Sequence, residues 1–213
     1  NYSPVAADIG NTVSFRLTTN DPDGFGPCVP AFDDISITIN ESAKVDAGPA
    51  IETCEDEIIQ LNGAMSGKTS FVTWSGGGGA AQFSNVTNPL STYALTAGDI
   101  AAGGVTLTLT TDDPDAGGPC TIVSDQVTIR VNKLPNVGLF GLAPTYAENA
   151  DMATLNGFPA PGTFTGPGIL AGTNQFYPTN AGTGSKTITY TYTDGNGCTN
   201  SASQATIVNP VTE

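Results

Sequence analysis

Two loops of the sequence carry aspartates at alternate positions. Asp21 and Asp23 lie in the string LTTNDPDGFGPC, and Asp113 and Asp115 lie in the nearly identical string LTTDDPDAGGPC. Calcium binds six to eight oxygen atoms, usually from carboxylates and backbone carbonyls, so these four side chains are candidate calcium ligands. An EF-hand is not indicated, because no glutamate follows at the place that motif requires.

The same two strings have a second interpretation that needs no ligand. Aspartate favours the start of a turn, proline restricts φ and glycine tolerates positive φ, so Asp-Pro-Asp-Gly makes a good hairpin loop by itself. The metal hypothesis needs further oxygen ligands, and the chain has them in and near both loops: Asn20, Asp33, Asp34, Asp112 and Asp125. From the sequence, both interpretations stand.

The residue types do not indicate catalysis. The sequence contains no histidine, which excludes a Ser-His-Asp or Cys-His arrangement within the chain. The acids lie in turns beside proline and glycine rather than in the paired pattern of a glycosidase. The glycine run 76–79 lacks the Gly-Lys-Ser/Thr ending of a phosphate-binding loop. We therefore predict that the protein is not an enzyme, and calcium is its one candidate cofactor.

The charge balance narrows the range of partners. Six Lys and Arg stand against 20 Asp and Glu, for a net charge of −14. Nucleic acids and anionic membranes attract clustered positive charge, so neither is an expected partner. No apolar run approaches the roughly 18–20 residues of a membrane helix, so membrane insertion is not expected either.

The repeated string belongs to a longer internal duplication. Residues 2–11 match 93–102, and residues 13–17 and 34–39 match 105–109 and 126–131. A period of about 90 residues is the size of one small β-sandwich domain. This period divides the chain into residues 1–43, the C-terminal half of one repeat, residues 44–134, a complete repeat, and residues 135–213, a divergent repeat.

Short alternating segments predict the fold class. Apolar residues and threonines alternate in 105–109, 127–131 and 188–192, which is the period of half-buried strands. Clusters of Gly, Pro, Asp and Asn separate these segments, as turns do. The prediction is an all-β protein of tandem immunoglobulin-like β-sandwich domains in an extended array. Trp74 falls in a central strand and is predicted to pack in the core.

Four cysteines are present, and they suggest one disulfide. Cys54 and Cys120 both lie in the complete repeat, and they are the only pair that one domain can close, so a bond between them is predicted. Cys28 is the counterpart of Cys120, and its partner is expected in a front half that precedes Asn1. The third repeat has no cysteine at the position equivalent to Cys54, so Cys198 is expected to be free. Buried thiols are the alternative for all four cysteines.

Several motifs together resemble a known class of repeats: VDAGP at 45–49, TCED at 53–56, LNG at 61–63, DIAAG at 99–103 and the second twelve-residue string. They are similar to repeat units of giant surface proteins from Bacteroidota-type bacteria, exported by the type IX system and including gliding-motility adhesins. The third repeat resembles the PKD-like units found beside them. The resemblance implies secretion, cell-surface display and a spacer or adhesive role, and it supports the pairing of Cys54 with Cys120.

Three functions are compatible with these observations. The first is a stiff, non-enzymatic stalk or adhesive filament, whose partners are neighbouring repeats of the same chain. The second is a carbohydrate-binding module for surface polysaccharide or another surface ligand, which needs exposed aromatic residues. Most Tyr and Phe occupy alternating strand positions and are predicted to be buried, and Phe25, at the tip of the first loop, is an exception. The third is a filament subunit assembled by strand donation.

Overall fold

The computed structural model describes residues 1–24, 26–115, 117–118 and 120–211, and strands dominate it. Phe25 lies outside the described residues. The helical elements are short: α-helices α1 (Ala97–Ala102) and α2 (Pro178–Ala181), and 3-10 turns at Ala6–Asp8 and Ala80–Gln82. The predicted all-β class is confirmed.

The chain begins with a ribbon of two antiparallel strands, which we call the N-terminal ribbon. Its strands are β1 (Thr12–Thr18) and β2 (Phe32–Thr38), paired from Thr12 opposite Thr38 to Thr18 opposite Phe32. The first twelve-residue string spans the end of β1 and most of the connection to β2. The prediction of a hairpin loop at this string is therefore correct.

The next eight strands form three sheets. The largest has the order β4-β10-β9-β7, in which β4 runs parallel to β10 and β7 runs antiparallel to β9. Two smaller sheets pair β3 with β6 and β5 with β8. The strands are β3 (Lys44–Asp46), β4 (Ile51–Cys54), β5 (Ile58–Gln60), β6 (Ala64–Ser66), β7 (Val72–Gly76), β8 (Thr92–Ala94), β9 (Gly104–Thr111) and β10 (Ser124–Asn132).

The last eight strands repeat this topology. The four-stranded sheet has the order β12-β18-β17-β15, again with one parallel pair, β12 and β18, and the small sheets pair β11 with β14 and β13 with β16. The strands are β11 (Gly138–Phe140), β12 (Thr145–Ala147), β13 (Ala153–Thr154), β14 (Asn156–Phe158), β15 (Thr163–Thr165), β16 (Gln175–Phe176), β17 (Gly184–Thr193) and β18 (Thr199–Asn209). Strands β11–β18 therefore have the same sheet order as β3–β10.

The alternating sequence pattern determines which side chains are buried. In β9 the side chains of Leu107 and Leu109 are fully buried, and in β10 those of Val127 and Ile129 are at most 1% exposed. The residue between the last two, Thr128, is exposed. Successive side chains of a strand point to opposite faces, so this alternation places one apolar row in the core.

The motif Leu-Asn-Gly has the same packing role in both places where it occurs. Leu61 and Leu155 are fully buried. A Cβ on Gly63 would lie 2.7 Å from Cδ2 of Leu109, and a Cβ on Gly157 would lie 2.2 Å from the ring of Tyr190. Each glycine is therefore the residue that allows a core side chain of the facing strand to approach the backbone.

By spatial proximity the chain divides into two compact units. The first comprises residues 1–49, 60–93 and 106–127, and the second comprises residues 50–59, 94–105 and 128–213. The first unit is built around buried Trp74, Tyr93 and Leu109. The second contains a core cluster of Leu139, Leu155, Phe176, Ala181, Ile188, Tyr190 and Val208. The repeat boundaries drawn from the sequence, after residues 43 and 134, remain a prediction.

Candidate functional site: the twin loops and the linker disulfide

The aspartates of the two repeated loops bind the backbone of their own loops. The Cys28 N–H donates to Oδ2 of Asp23 at 3.2 Å, and the Cys120 N–H donates to Oδ2 of Asp115 at 2.9 Å. Asp21 and Asp113, the aspartates before each proline, accept a backbone hydrogen bond from the aspartate that follows the proline. In the first loop the Asp23 N–H donates to Oδ1 of Asp21 at 3.2 Å. The equivalent distance, from the Asp115 N–H to Asp113, is also 3.2 Å. These bonds favour the interpretation that the aspartates close turns.

A glycine in each loop makes room for the second carboxylate. A Cβ on Gly26 would lie 2.0 Å from Oδ2 of Asp23, and a Cβ on Gly118 would lie 2.3 Å from Oδ2 of Asp115. Since real Cβ atoms do not approach so closely, a larger residue would displace the carboxylate from the cysteine N–H. The repeated spacing Asp, Gly, Cys is therefore explained by loop closure alone.

The third repeat closes its last hairpin in a related way. Oδ1 of Asp194 accepts the N–H of Asn196 and the N–H of Cys198, both at 2.9 Å. The loop between the strands is shorter than the twin loops, yet an aspartate again binds the N–H of the cysteine that follows it. At all three hairpins an aspartate thus accepts the N–H of a following cysteine, although Cys198 directly precedes its strand and Cys28 and Cys120 do not.

The other acids proposed as calcium ligands also have protein partners. Asp34 receives two bonds from the Arg16 guanidinium, at 2.8 and 2.9 Å. Oδ2 of Asp125 accepts the Ala47 N–H at 2.8 Å, and Oδ1 of Asp33 accepts the Asp34 N–H at 3.0 Å. Within the described residues, no three His, Cys, Asp or Glu side chains lie together as a metal site would require. Calcium binding by Asp21, Asp23, Asp113 and Asp115 remains a prediction.

Asp112 anchors the start of the second loop to the neighbouring strand connection. Oδ1 of Asp112 accepts the Thr69 hydroxyl and, at 3.0 Å, the Ser70 N–H. The Thr69 hydrogen bond is the main cause that lowers the pKa of Asp112, with backbone N–H groups of Ser70 and Phe71 adding to it. A carboxylate with a lowered pKa stabilises the fold when it is charged.

We expect the stability of the first unit to fall in acid partly through Asp112. Its folded pKa lies below its ordinary value of 3.8, so its contribution is present above that value and is lost as the pH falls through the folded pKa. Asp112→Asn should lower the melting temperature at neutral pH by a few degrees. It should also reduce the fall in melting temperature between about pH 5 and pH 3.

The control for this prediction is Asp56→Asn, which removes the same charge from an exposed turn. Thermal melting followed by circular dichroism at several pH values measures both variants. An acid response of Asp112→Asn that matches the wild type would contradict the assigned role of this carboxylate.

The disulfide predicted between Cys54 and Cys120 is wrong. Cys54 is bonded to Cys198, 144 residues further along the chain, with a Cα–Cα distance of 5.6 Å. Cys198, expected to be free, is fully buried in this bond, while Cys28 and Cys120 are free thiols in the structure. Sequence reasoning assumed that a disulfide must close within one predicted repeat, whereas this one joins the end of β4 to the turn before β18, both in the second compact unit.

Residues 132–135, at the predicted boundary between the second and third repeats, are held from both sides within the second compact unit, and we call this arrangement the linker clamp. The Glu55 N–H donates to the Asn132 carbonyl at 3.0 Å, and the Leu134 N–H donates to Oε1 of Glu55 at 3.1 Å. From the other side, Nδ2 of Asn200 donates to the Pro135 carbonyl at 2.9 Å. Glu55 follows Cys54 directly and Asn200 lies two residues after Cys198, so the disulfide and the hydrogen bonds act at the same place.

Sequence reasoning missed the linker clamp, although one signal for it was present. The sequence DGNGC at 194–198 ends in a cysteine just as both twelve-residue strings do. That similarity placed Cys198 among the loop cysteines but did not show which cysteine it binds. The linker hydrogen bonds had no sequence signal, because their partners are brought together only by the fold.

The free thiol of Cys120 is not an activated nucleophile. Its partial burial is the main cause that raises its pKa, and the nearby Asp115 carboxylate raises the pKa further. A thiol with a raised pKa is mostly protonated at neutral pH, and the protonated form reacts slowly.

Comparison with known proteins finds similarity to solved structures but not to protein families or curated sequences. No family model matches the chain, and no curated protein matches it. Among solved structures, immunoglobulin domains 1–5 of Sidekick-1 share 13% identity, with a TM-score of 0.44 over 97% of this chain and 46% of that chain. The insect immune protein hemolin shares 9%, with a TM-score of 0.38 over 78% and 46%. Protocadherin gamma B7 cadherin domains 1–4 share 14%, with a TM-score of 0.36 over 92% and 57%.

The chain spans about half the length of the first two solved structures to which it is similar, 57% and 46%. Its fold class is that of tandem immunoglobulin-like β-sandwich domains. In the described part of the chain, no helix has the length and apolar character to cross a membrane.

Proposed function

We propose that this chain is a non-enzymatic segment of a cell-surface protein, in which tandem β-sandwich repeats act as a stiff, extended stalk. The linker clamp is the observation that carries this proposal. A stalk must transmit force from one repeat to the next, and a linker with free rotation would bend instead. Here a covalent bond and three hydrogen bonds surround residues 132–135.

The chemistry of the loops and cysteines supports the same proposal. The hydrogen bonds that Asp23 and Asp115 accept from the Cys28 and Cys120 N–H groups support a turn-closing role for these two aspartates. A structural disulfide is typical of proteins that leave the reducing cytosol. Together with the resemblance of the repeat motifs to type IX-exported surface proteins, this supports a secreted, surface-displayed adhesin, including one used in gliding or attachment.

Small-angle X-ray scattering tests the stalk. A compact sphere-like protein of 213 residues has a radius of gyration of about 17 Å. For a stiff row of repeats we expect a clearly larger value that does not change with salt. The variant Cys54→Ser/Cys198→Ser should broaden the distance distribution, because the linker is then held by hydrogen bonds alone. A radius of gyration near that of the compact form would reject the stalk.

The same measurements, made with calcium and with a chelator, test metal binding by the twin loops. Scattering and thermal melting in calcium and in chelator should agree if the twin-loop aspartates serve only as turn closers. A rise in melting temperature with calcium, lost in Asp113→Asn/Asp115→Asn, would instead assign these loops as metal sites that stiffen the stalk.

A carbohydrate-binding module is the second candidate, and one surface favours it. Phe140 and Phe158 are 57% and 60% exposed on the small sheet of β11 and β14. Phe158 is paired with Gly138, two residues from Phe140, so both rings lie on one face of the sheet. A glycan array with the wild type and with Phe140→Ala/Phe158→Ala tests this candidate. Binding that the double variant abolishes would favour the module over the stalk.

A further inference from the structure

The small sheet of β11 and β14 has an inner face that is fixed firmly to the core. Leu139 on this face is 2% exposed. A Cβ on Gly157 would lie 2.2 Å from the Tyr190 ring, so β14 rests directly on that ring. The Tyr190 hydroxyl also donates to the carbonyl of Pro159, which directly follows Phe158. These contacts hold the outer face of the sheet in one position.

The outer face of the same sheet carries two exposed aromatic rings and one carboxamide. Its four positions are Gly138, Phe140, Asn156 and Phe158, and we call them the aromatic platform. The register places Gly138 opposite Phe158 and Asn156 opposite Phe140. Phe140 and Phe158 are 57% and 60% exposed, and Asn156 is exposed as well. All of these side chains therefore meet solvent on one side of the sheet.

Gly138 lets the Phe140 ring lie along the sheet instead of standing away from it. A Cβ on Gly138 would lie 2.8 Å from both Cε2 and Cζ of Phe140, which form the far end of that ring. Real Cβ atoms do not approach other atoms so closely, so any other residue at position 138 would push the ring off the backbone. Because Gly138 faces Phe158 across the strands, the Phe140 ring extends toward the second ring.

The size of the aromatic platform argues against a protein partner. An aromatic side chain buries about 150–250 Å² when it is covered completely, so two rings that are little more than half exposed contribute at most about 300 Å². A stable protein interface buries about 800 Å² on each partner. The platform is therefore large enough for a few sugar rings and too small for a second copy of this chain.

The residue types of the aromatic platform match a neutral sugar polymer. The face of an aromatic ring carries partial negative charge and attracts partly positive C–H groups. A pyranose with equatorial hydroxyls presents such C–H groups as a flat layer. The Asn156 carboxamide both donates and accepts hydrogen bonds, which suits neighbouring hydroxyls. Neither strand contains a charged residue, and the chain has a net charge of −14, so an acidic polymer is repelled.

We propose that the aromatic platform binds a neutral polysaccharide of pyranoses with equatorial hydroxyls, namely a β-linked glucan. Phe140 and Phe158 stack on the sugar rings, Asn156 binds their hydroxyls, and Gly138 positions the Phe140 ring. This proposal rests on the second candidate function, the carbohydrate-binding module. It adds the class of glycan and the roles of Gly138 and Asn156.

Native electrophoresis of the full chain, in gels that contain a dissolved polysaccharide, tests the proposal. Mixed-linkage β-glucan should retard the wild type. Polygalacturonate, which is acidic, and a galactan, whose sugar rings carry an axial oxygen, should not. Phe140→Ala and Phe158→Ala should each weaken the affinity for β-glucan about tenfold or more, because each removes the burial of one ring. Gly138→Ala should weaken the affinity as well, although both rings remain.

The matched control is Phe71→Ala, which removes an aromatic ring that is 50% exposed in the first compact unit. This variant should be retarded by β-glucan as strongly as the wild type. Asn156→Ala keeps both rings and the inner face of the sheet, and it should reduce the affinity by a smaller factor than the loss of a ring. Circular dichroism of each variant checks that the fold is retained.

Contrary results would separate this proposal from the function on which it rests. Retardation by β-glucan that persists in Phe140→Ala/Phe158→Ala would overturn the assignment of the site. Retardation by galactan or polygalacturonate in place of β-glucan, lost in the same double variant, would overturn the class of glycan and keep the carbohydrate-binding module. If none of the three polymers retards the wild type, the module and this proposal both fail, and the stalk is unaffected.

Discussion

Replacing Cys54 and Cys198 by serine should lower the free energy of unfolding of the second compact unit by about 3–5 kcal/mol. The two cysteines are separated by 144 residues, and a cross-link over so long a loop removes much conformational entropy from the unfolded chain. The chain-entropy relation places a loop of this length at roughly 5 kcal/mol, near the upper end of what disulfides contribute. Urea denaturation followed by far-ultraviolet circular dichroism measures the effect.

The serine variants of the two free cysteines, Cys28→Ser and Cys120→Ser, are the matched controls. Cys28 is exposed and Cys120 partly exposed, so each change should alter the free energy of unfolding by no more than about 0.5–1 kcal/mol. Peptide mapping without reduction should recover Cys54 joined to Cys198. A Cys54–Cys120 peptide, together with an effect of Cys120→Ser as large as that of the double variant, would restore the pairing expected from the sequence.

The second large effect is expected at Trp74, the one tryptophan of the chain. Its side chain is 2% exposed, and its ring is stacked with Phe83 at a centroid distance of 6.3 Å. Nε1 of Trp74 donates to the Asn88 carbonyl at 3.1 Å. Trp74→Ala removes this packing and leaves a cavity, so the free energy of unfolding of the first unit should fall by about 3–5 kcal/mol.

A graded series makes this prediction testable even if the alanine variant does not fold. Trp74→Phe keeps most of the apolar contact and loses the hydrogen bond, so it should cost about 1–3 kcal/mol. Phe71→Ala is the control on the same segment, because Phe71 is 50% exposed, and it should cost less than about 1 kcal/mol. Urea denaturation followed by circular dichroism gives all three values. Similar values for Trp74→Ala and Phe71→Ala would contradict a core role.

The strands and loops of this protein follow directly from local sequence. Alternation in residues 105–109 and 127–131 predicts β9 and β10, and the structure buries the apolar row as the pattern indicates. The Asp, Gly and Cys of the twin loops were visible as a repeated spacing. Their use as turn closers was one of the two interpretations, and the hydrogen bonds favour it.

The aromatic residues show where the pattern was less informative. Strand positions suggested that most Phe and Tyr side chains are buried, and Tyr93 and Tyr190 are. Phe140 and Phe158 are instead more than half exposed. Both lie in three-residue strands of a small sheet, where alternation over so short a segment does not show which face meets the core.

The sequence by itself determined the strand periodicity, the chemistry of the turns and the equivalence of the repeats, because each depends on neighbours within a few residues or on self-similarity. The tertiary structure alone decided which cysteine Cys54 binds and how the linker at residues 132–135 is held. Cysteine spacing does not encode connectivity, since a disulfide forms wherever folding brings two Cα atoms to about 6 Å. For Cys54 and Cys198, 144 residues apart, only the folded chain creates that proximity.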